Sequence, residues 1–356
     1  MLTPTNLKER VMKRKVLLIL TVSFLVLSMY FVPAFAQTKA GTSAAPELII
    51  PLGARSTAMS GAVISSVSGA DAISWNPAGL DMSDAGSSAF FSHRSYIADI
   101  GINYVAVTAK VPSLGSLGLT LRSFSVGDIN VTTENQPDGT GAVISPTFFT
   151  LGLTYSKQLT DQVSIGVTAN IVDESFANVS ASGVAFDAGI QYRNLGGVKG
   201  LSLGVCVNNI GTPMQYGGSD LWVQANSADQ ARGITYYKIE AASSQMPSLI
   251  QIGLGYNIAL GENTALQIGG GYENNNYGID EYRCGAELSL MKSLFLRAGY
   301  LYSSESGGTK SIFQNYTLGV GIDLKEYTSV PISIDYAYLP VEYFSANSIF
   351  DIHINF

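Results

Sequence analysis

The sequence predicts an all-β membrane fold, a closed antiparallel transmembrane β-barrel of about 14 strands with a small N-terminal helical hatch inside. Three observations carry that prediction. Only 13% of the 356 residues are charged, against about 25% in typical soluble domains, while Gly, Tyr and Phe abound. Segments of roughly ten residues alternate apolar and polar side chains, the period of a strand with one face in lipid and one in a polar lumen. The connections between them sort by parity, short turns alternating mostly with longer polar loops. Tilted membrane strands ask for that sorting, whereas a large soluble β protein, the competing reading, gives no reason for it.

Residues 1–36 read as a cleaved signal peptide. Lys13-Arg14-Lys15 precedes an apolar run from Val16 to Phe31, and Ala34-Phe35-Ala36 has the small-x-small pattern of a cleavage site. The run is short for a membrane anchor. Residues 37–356 then hold 15 basic and 26 acidic side chains. That balance argues against nucleic acid, which is gripped by clustered Lys and Arg. Two cysteines make no disulfide framework. No later apolar run reaches the roughly 18 residues of a spanning helix.

Residues 37–85 form the expected hatch. The stretch "GARSTAMSGAVISSVSGADAISWNPAGL" (53–80) predicts a slim helix over 54–68, stopped at Ser68-Gly69 and kept from resuming by Pro77. Small side chains allow such a segment to lie close to an inner wall. A barrel of this size is too wide for its own side chains to fill. Arg55 and Asp71 are placed to pair with lumen groups.

Residues 86–356 form the expected barrel, with strands starting near 86, 99, 114, 147, 162, 181, 200, 246, 263, 278, 293, 312, 329 and 347. Alternation slips between Phe90 and Tyr104, so the first two are the least regular. The last strand, "SIFDIHINF", sets Phe350, Ile352, Ile354 and Phe356 on one face and Asp351, His353 and Asn355 on the other. Full closure removes the strand edges that lipid cannot satisfy.

Strand parity turns a set of polar side chains inward: Arg122, Asp187, Gln191, Arg193, Asn208, Glu281, Arg283, Glu287, Arg297, Asp323 and Asp335, joined by Asp351 and His353. An Arg or Lys facing lipid at mid-depth costs about 2–4 kcal/mol. These residues read as a lumen network holding the hatch. Gly269, Gly271, Gly319 and Gly321 leave room for it. Cys206 falls on the inner parity and Cys284 on the outer, so the two are not expected to bridge.

Enzyme chemistry finds no support. Gly200-Leu201-Ser202-Leu203-Gly204 matches a nucleophile-elbow string, but it lies inside an alternating strand rather than a strand–turn–helix. Only His93 and His353 offer imidazole, and no phosphate loop, zinc spacing or calcium loop occurs. No catalytic residue, cofactor or metal is expected.

The stretch "LIIPLGARSTAMSGAVISSVSGADAISWNPAGL" resembles the N-terminal signature of the PorV/PorQ family, within the wider FadL-like barrels. Gly53-Ala54-Arg55, Ala58-Met59, Gly61-Ala62, Asp71 and Asn76-Pro77-Ala78-Gly79-Leu80 carry the resemblance. It implies a fourteen-stranded bacterial outer-membrane barrel with an internal hatch. It also implies one of two jobs. PorV-like members are accessory partners in type IX secretion and surface attachment, for which outer loops 127–146 and 211–245 are the natural docking sites. FadL-like members are passive conduits for hydrophobic small molecules. Export is the first expectation here, conduit the second and a soluble secreted β protein the third.

Overall fold

The computed structural model describes residues 41–226, 234–303, 313, 315–325, 328 and 330–356. The expected signal peptide therefore lies outside the described residues. Fourteen strands make the wall: β1 (Ser87–Ser95), β2 (Gly101–Val111), β3 (Gly115–Ser125), β4 (Thr147–Gln158), β5 (Val163–Phe176), β6 (Val179–Arg193), β7 (Leu201–Gly211), β8 (Leu249–Ala259), β9 (Thr264–Asn275), β10 (Glu281–Leu290), β11 (Leu294–Ser303), β12 (Tyr316–Asp323), β13 (Ile332–Leu339) and β14 (Asn347–Asn355). Each pairs antiparallel with the next. β14 pairs with β1, Phe90 opposite His353, and closes the barrel.

The two faces of the wall are inverted relative to a soluble protein. In β4, Leu153 is 59% exposed while its neighbour Thr154 is fully buried. Leu119 and Thr120 of β3, and Val167 and Thr168 of β5, repeat the contrast. Outward apolar side chains meet the lipid, and inward polar ones hydrogen-bond across strands, as Thr154 Oγ1 does with Thr168 Oγ1 at 2.8 Å. Cys206 faces inward and Cys284 outward, both as free thiols.

Loop length departs from parity most sharply between β5 and β6. Only Ala177 and Asn178 separate β5 from β6, where a longer outer link was expected. These are the longest strands, of 14 and 15 residues, so chain that elsewhere makes loop is here drawn into paired strand. The long connections are those between β3 and β4 and between β7 and β8, and both carry short ribbons of their own: 129–130 with 143–144, and Trp222–Ala225 with Thr235–Lys238. Between β6 and β7 the register shifts at Phe186/Ala188. There Asp187 turns in and accepts the Asn209 backbone N–H at 2.7 Å, pinning the bulge.

The hatch lies in the lumen but is not the helix predicted over 54–68. Among the described residues of the hatch, only α1 (Ala54–Ala58) is α-helical. Ser60 and Gly61 follow with φ of 52° and 75°, and the Gly61 N–H closes the turn on the Ser56 carbonyl at 2.9 Å. Serine has middling helix propensity because its hydroxyl competes for backbone groups. Gly61 is needed twice over, since a Cβ there would meet the Trp75 ring at 2.5 Å as well as strain the backbone. Two short 3-10 helices follow, Gly69–Ser74 and Pro77–Met82. Asn76 caps the second, its Oδ1 accepting the Ala78 N–H, with Pro77 at the first helical position.

The hatch threads the barrel from end to end. Ala44 bonds to Gln245 in the long β7–β8 loop, and Leu48 packs with Met214 and Met246. At the other end, the Asp81 and Ser83 carbonyls accept from Lys110 beside the β2–β3 turn.

The inverted wall gives a direct expectation. Leu153→Arg at the lipid-facing centre of β4 should cost about 2–4 kcal/mol, read as a lowered urea midpoint for insertion into vesicles, while Thr154→Ser should cost less than half as much.

Candidate functional site

The candidate site is the contact between hatch and wall. A chain without regular helix or sheet leaves backbone carbonyls that must find donors once buried. The wall supplies them. Arg94 of β1 donates Nη1–H to the Pro51 carbonyl at 2.7 Å, and Arg122 of β3 to that of Glu47 at 3.0 Å. Gln191 of β6 donates to Ile64 and Val67, and Thr317 of β12 to Ala58. Ser156 and Ser164 both donate to the Ala78 carbonyl, at 3.0 and 2.7 Å, and Arg193 to that of Met82 at 3.2 Å. Within the hatch, Trp75 Nε1–H bonds to the Leu52 carbonyl and Asn76 Nδ2–H to Ile64. Asn76 also reaches the wall at Ile190.

Wall glycines let the two backbones touch. A Cβ on Gly166 would lie 2.3 Å from the Pro77 carbonyl carbon, and one on Gly204 would lie 2.2 Å from the Ile64 oxygen. Gly79 meets the Val67 carbonyl inside the hatch in the same way. Of the glycines expected to make room, Gly269 faces Ala62 and Gly319 faces Ala58. Gly321 instead makes room for Asp335 and Arg297, and Gly271 meets only wall backbone, so these two are corrected. Their strands run past the hatch's edge or beside the ion pairs.

An ion-pair chain ties the hatch to β10, β11 and β13. Arg55 donates Nε–H to Glu287 Oε2 at 2.9 Å and Nη2–H to Oε1 at 3.0 Å, a fork-on-carboxylate geometry. Arg297 bonds to the same carboxylate at 2.6 Å and to Asp335. His353 Nε2 lies 3.7 Å from Asp335, its ring stacked on Phe90. Attraction to Glu287 holds the Arg55 guanidinium firmly charged, above its ordinary range despite burial. Asp351 accepts the Ala54 N–H at the start of α1, a carboxylate where the helix presents unpaired donors. Gly53 leaves space for Asp71, and Met59 is fully buried beside Gly285.

Other predicted residues sit differently. Arg283 bridges Glu273 at 2.8 Å and Glu281 at 2.6 Å and approaches the Trp75 ring, so it supports the hatch by contact rather than by an ion pair. Asp71 pairs with no lumen residue: its carboxylate accepts the Ser56 hydroxyl at 2.6 Å, because the hatch folds back on itself. Burial raises its pKa. Asp187 holds Asn170 and Asn209 within the wall. Asp323 caps the turn after β12, accepting from the Lys325 N–H, because the strand ends there beyond the hatch. Ser202, in the nucleophile-elbow string, is on β7 and donates to the Gly255 carbonyl.

Sequence reasoning missed Arg94, Trp75, Asp81 and the acid pair Glu47 and Glu174. Inward parity signals Arg94 and Glu174, while Trp75, Asp81 and Glu47 belong to irregular chain that has no period. Asp81 accepts from Ser116 and the Gln158 N–H. Glu47 and Glu174 are both nearly fully buried, and Tyr216 donates to Glu174. Burial, and then the Glu174 charge, push Glu47 up to about 7. Between hatch and wall at mid-height lies a cavity of only about 70 Å³, lined by Arg122, Asp187, Glu273 and Arg283 as well as Leu48–Leu52.

Two expectations follow from these contacts. Arg55→Met should leave Glu287 with Arg297 as its one remaining guanidinium and lower stability by about 1.5–3 kcal/mol, and a double-mutant cycle with Glu287→Gln in chemical unfolding should show the two losses to be less than additive. Glu47 binds its proton more tightly in the folded state than in the unfolded chain. Its contribution to stability is therefore full below about pH 4.5 and lost as pH rises through about 7. Protease nicking of residues 41–52 should increase across that window, and Glu47→Gln should flatten the profile.

The fold has known counterparts. The CymD monoaromatic hydrocarbon channel superposes with a TM-score of 0.55 at 14% identity, covering 85% of this chain and 96% of its own. The toluene transporter TodX of Pseudomonas putida gives 0.51 at 15%, covering 85% and 96%. A TodX mutant channel gives 0.56 at 16%, covering 85% and 99%. At such identities the likeness is one of fold. No curated protein matches the sequence. The family described as type IX secretion system protein PorV matches residues 34–217, just over half the chain. The protein is thus a bacterial outer-membrane barrel, and it belongs to the PorV family.

Proposed function

We infer that the barrel is an accessory partner in protein export or surface attachment, docking secreted or attachment proteins through outer loops 127–146 and 211–245. The observation that carries this reading is the pairing of a stoppered lumen with an apolar ribbon beyond the wall. The hatch occupies the lumen, and the cavity left at mid-height is small and includes the charged side chains of Arg122, Asp187, Glu273 and Arg283 in its lining. Hydrophobic ligands favour larger, mainly apolar pockets. In the β7–β8 loop, Trp222, Val223, Tyr236 and Tyr237 are all exposed on one short ribbon, the residue types that anchor protein interfaces. Membership of the PorV family supports the same reading. The reading assigns no catalysis.

A passive conduit for hydrophobic small molecules is the second reading, motivated by the fold shared with hydrocarbon channels. One experiment separates them. Native complexes are purified from membranes carrying the wild-type chain or Trp222→Ala/Tyr236→Ala/Tyr237→Ala. The expected outcome is co-purifying export or attachment proteins for the wild type and their loss in the variant, with secreted proteins retained inside the cell. A barrel that purifies alone, and whose deletion blocks toluene uptake but leaves export intact, sinks the export reading.

A further inference from the structure

A second cavity, of about 360 Å³, lies between hatch and wall at the short-turn end. It falls within the roughly 300–1,000 Å³ of small-molecule sites. Its floor is the hatch turn of Ser65, Ser66 and Ser68, and its rim is the end of β6 and the start of β7. Two guanidiniums line it, Arg55 and Arg193, and no carboxylate does, in a chain whose net charge is −7. Arg55, 26% exposed on this side, has Glu287 as its counter-ion behind the wall of the cavity. Arg193 spends one terminal nitrogen on the Met82 carbonyl.

The lining is also built rather than incidental. Gln267 donates to Ser66 Oγ at 2.6 Å and accepts from Arg55 at 3.3 Å, which fixes both groups. Asn194 Oδ1 accepts the Gly200 N–H at 2.9 Å and sets the rim turn. Ser65 is 1% exposed, and its hydroxyl has no hydrogen-bond partner among the described residues. A buried hydroxyl left unpaired costs free energy that a ligand oxygen would relieve.

We propose that this cavity binds a small hydroxylated oxyanion, a sugar acid or sugar phosphate, with Arg193 and Arg55 holding the charged group and Ser65 a hydroxyl. Guanidiniums favour planar or tetrahedral oxyanions through paired N–H donors, and the serine and amide lining suits hydroxyls rather than hydrocarbon. The ligand enters from the side of the short turns, opposite the long loops, so this site is separate from the docking surface.

The test titrates the purified full-length barrel in detergent with glucuronate, glucose 6-phosphate and glucose by calorimetry. Saturable binding of either acid and none of glucose is expected. Preference between the acids tells carboxylate from phosphate. Arg193→Gln should weaken binding tenfold or more, and Ser65→Ala about threefold, each keeping heat-modifiable migration. If Arg193→Gln does not fold, the Ser65→Ala titration decides. Absence of saturable binding by both acids, equal binding of glucose, or wild-type affinity in the folded variants overturns the proposal.

Discussion

Every strand of this barrel turns polar side chains into a space that bulk water does not fill, and those side chains must be satisfied there. The hatch meets that demand and poses the same one in reverse. Its chain has little regular structure, so its carbonyls lack internal donors. Wall donors and hatch acceptors thus answer each other: Arg94, Arg122, Gln191, Ser164 and Thr317 each bond to a hatch carbonyl. Without the hatch these donors would turn to water in an open bore. Without the wall the hatch would have too little hydrogen bonding of its own to hold a shape.

Charge follows the same logic. Arg55, Glu287, Arg297 and Asp335 alternate in sign along one line of contacts, so each side chain in the line lies against one of opposite sign. Removing the shared Glu287 leaves Arg55 without its carboxylate, which is costlier than the pair's own net worth. Glu47 and Glu174 are the counter-case, two acids facing each other where hatch meets the long-loop end. There burial and the neighbouring carboxylate favour the protonated form of Glu47.

Much of the wall was legible in the sequence because its signal is periodic. Strand starts expected near 147, 200 and 347 fall at Thr147, Leu201 and Asn347. Parity also turned Gln191, Glu287 and Arg297 inward, where burial now places them. The hatch was less legible. Its small residues read as a helix, yet the left-handed backbone at Ser60 and Gly61 ends α1 after Ala58. Those positions answer to the wall, whose glycines and donors decide where hatch backbone can lie, and such long-range constraint has no period to read. Asp71 and Asp323 show the same limit: each has the right parity or motif, but its partner is set by a local turn.

The carboxylate that meets the first turn of α1 comes from Asp351, five positions before Phe356. β14, which carries it, is also the strand that zips onto β1. The strand that seals the cylinder therefore also seats its stopper, and a change at Asp351 would be felt by both. A cylinder closed without the stopper would leave its inward donors to water, as in an open pore.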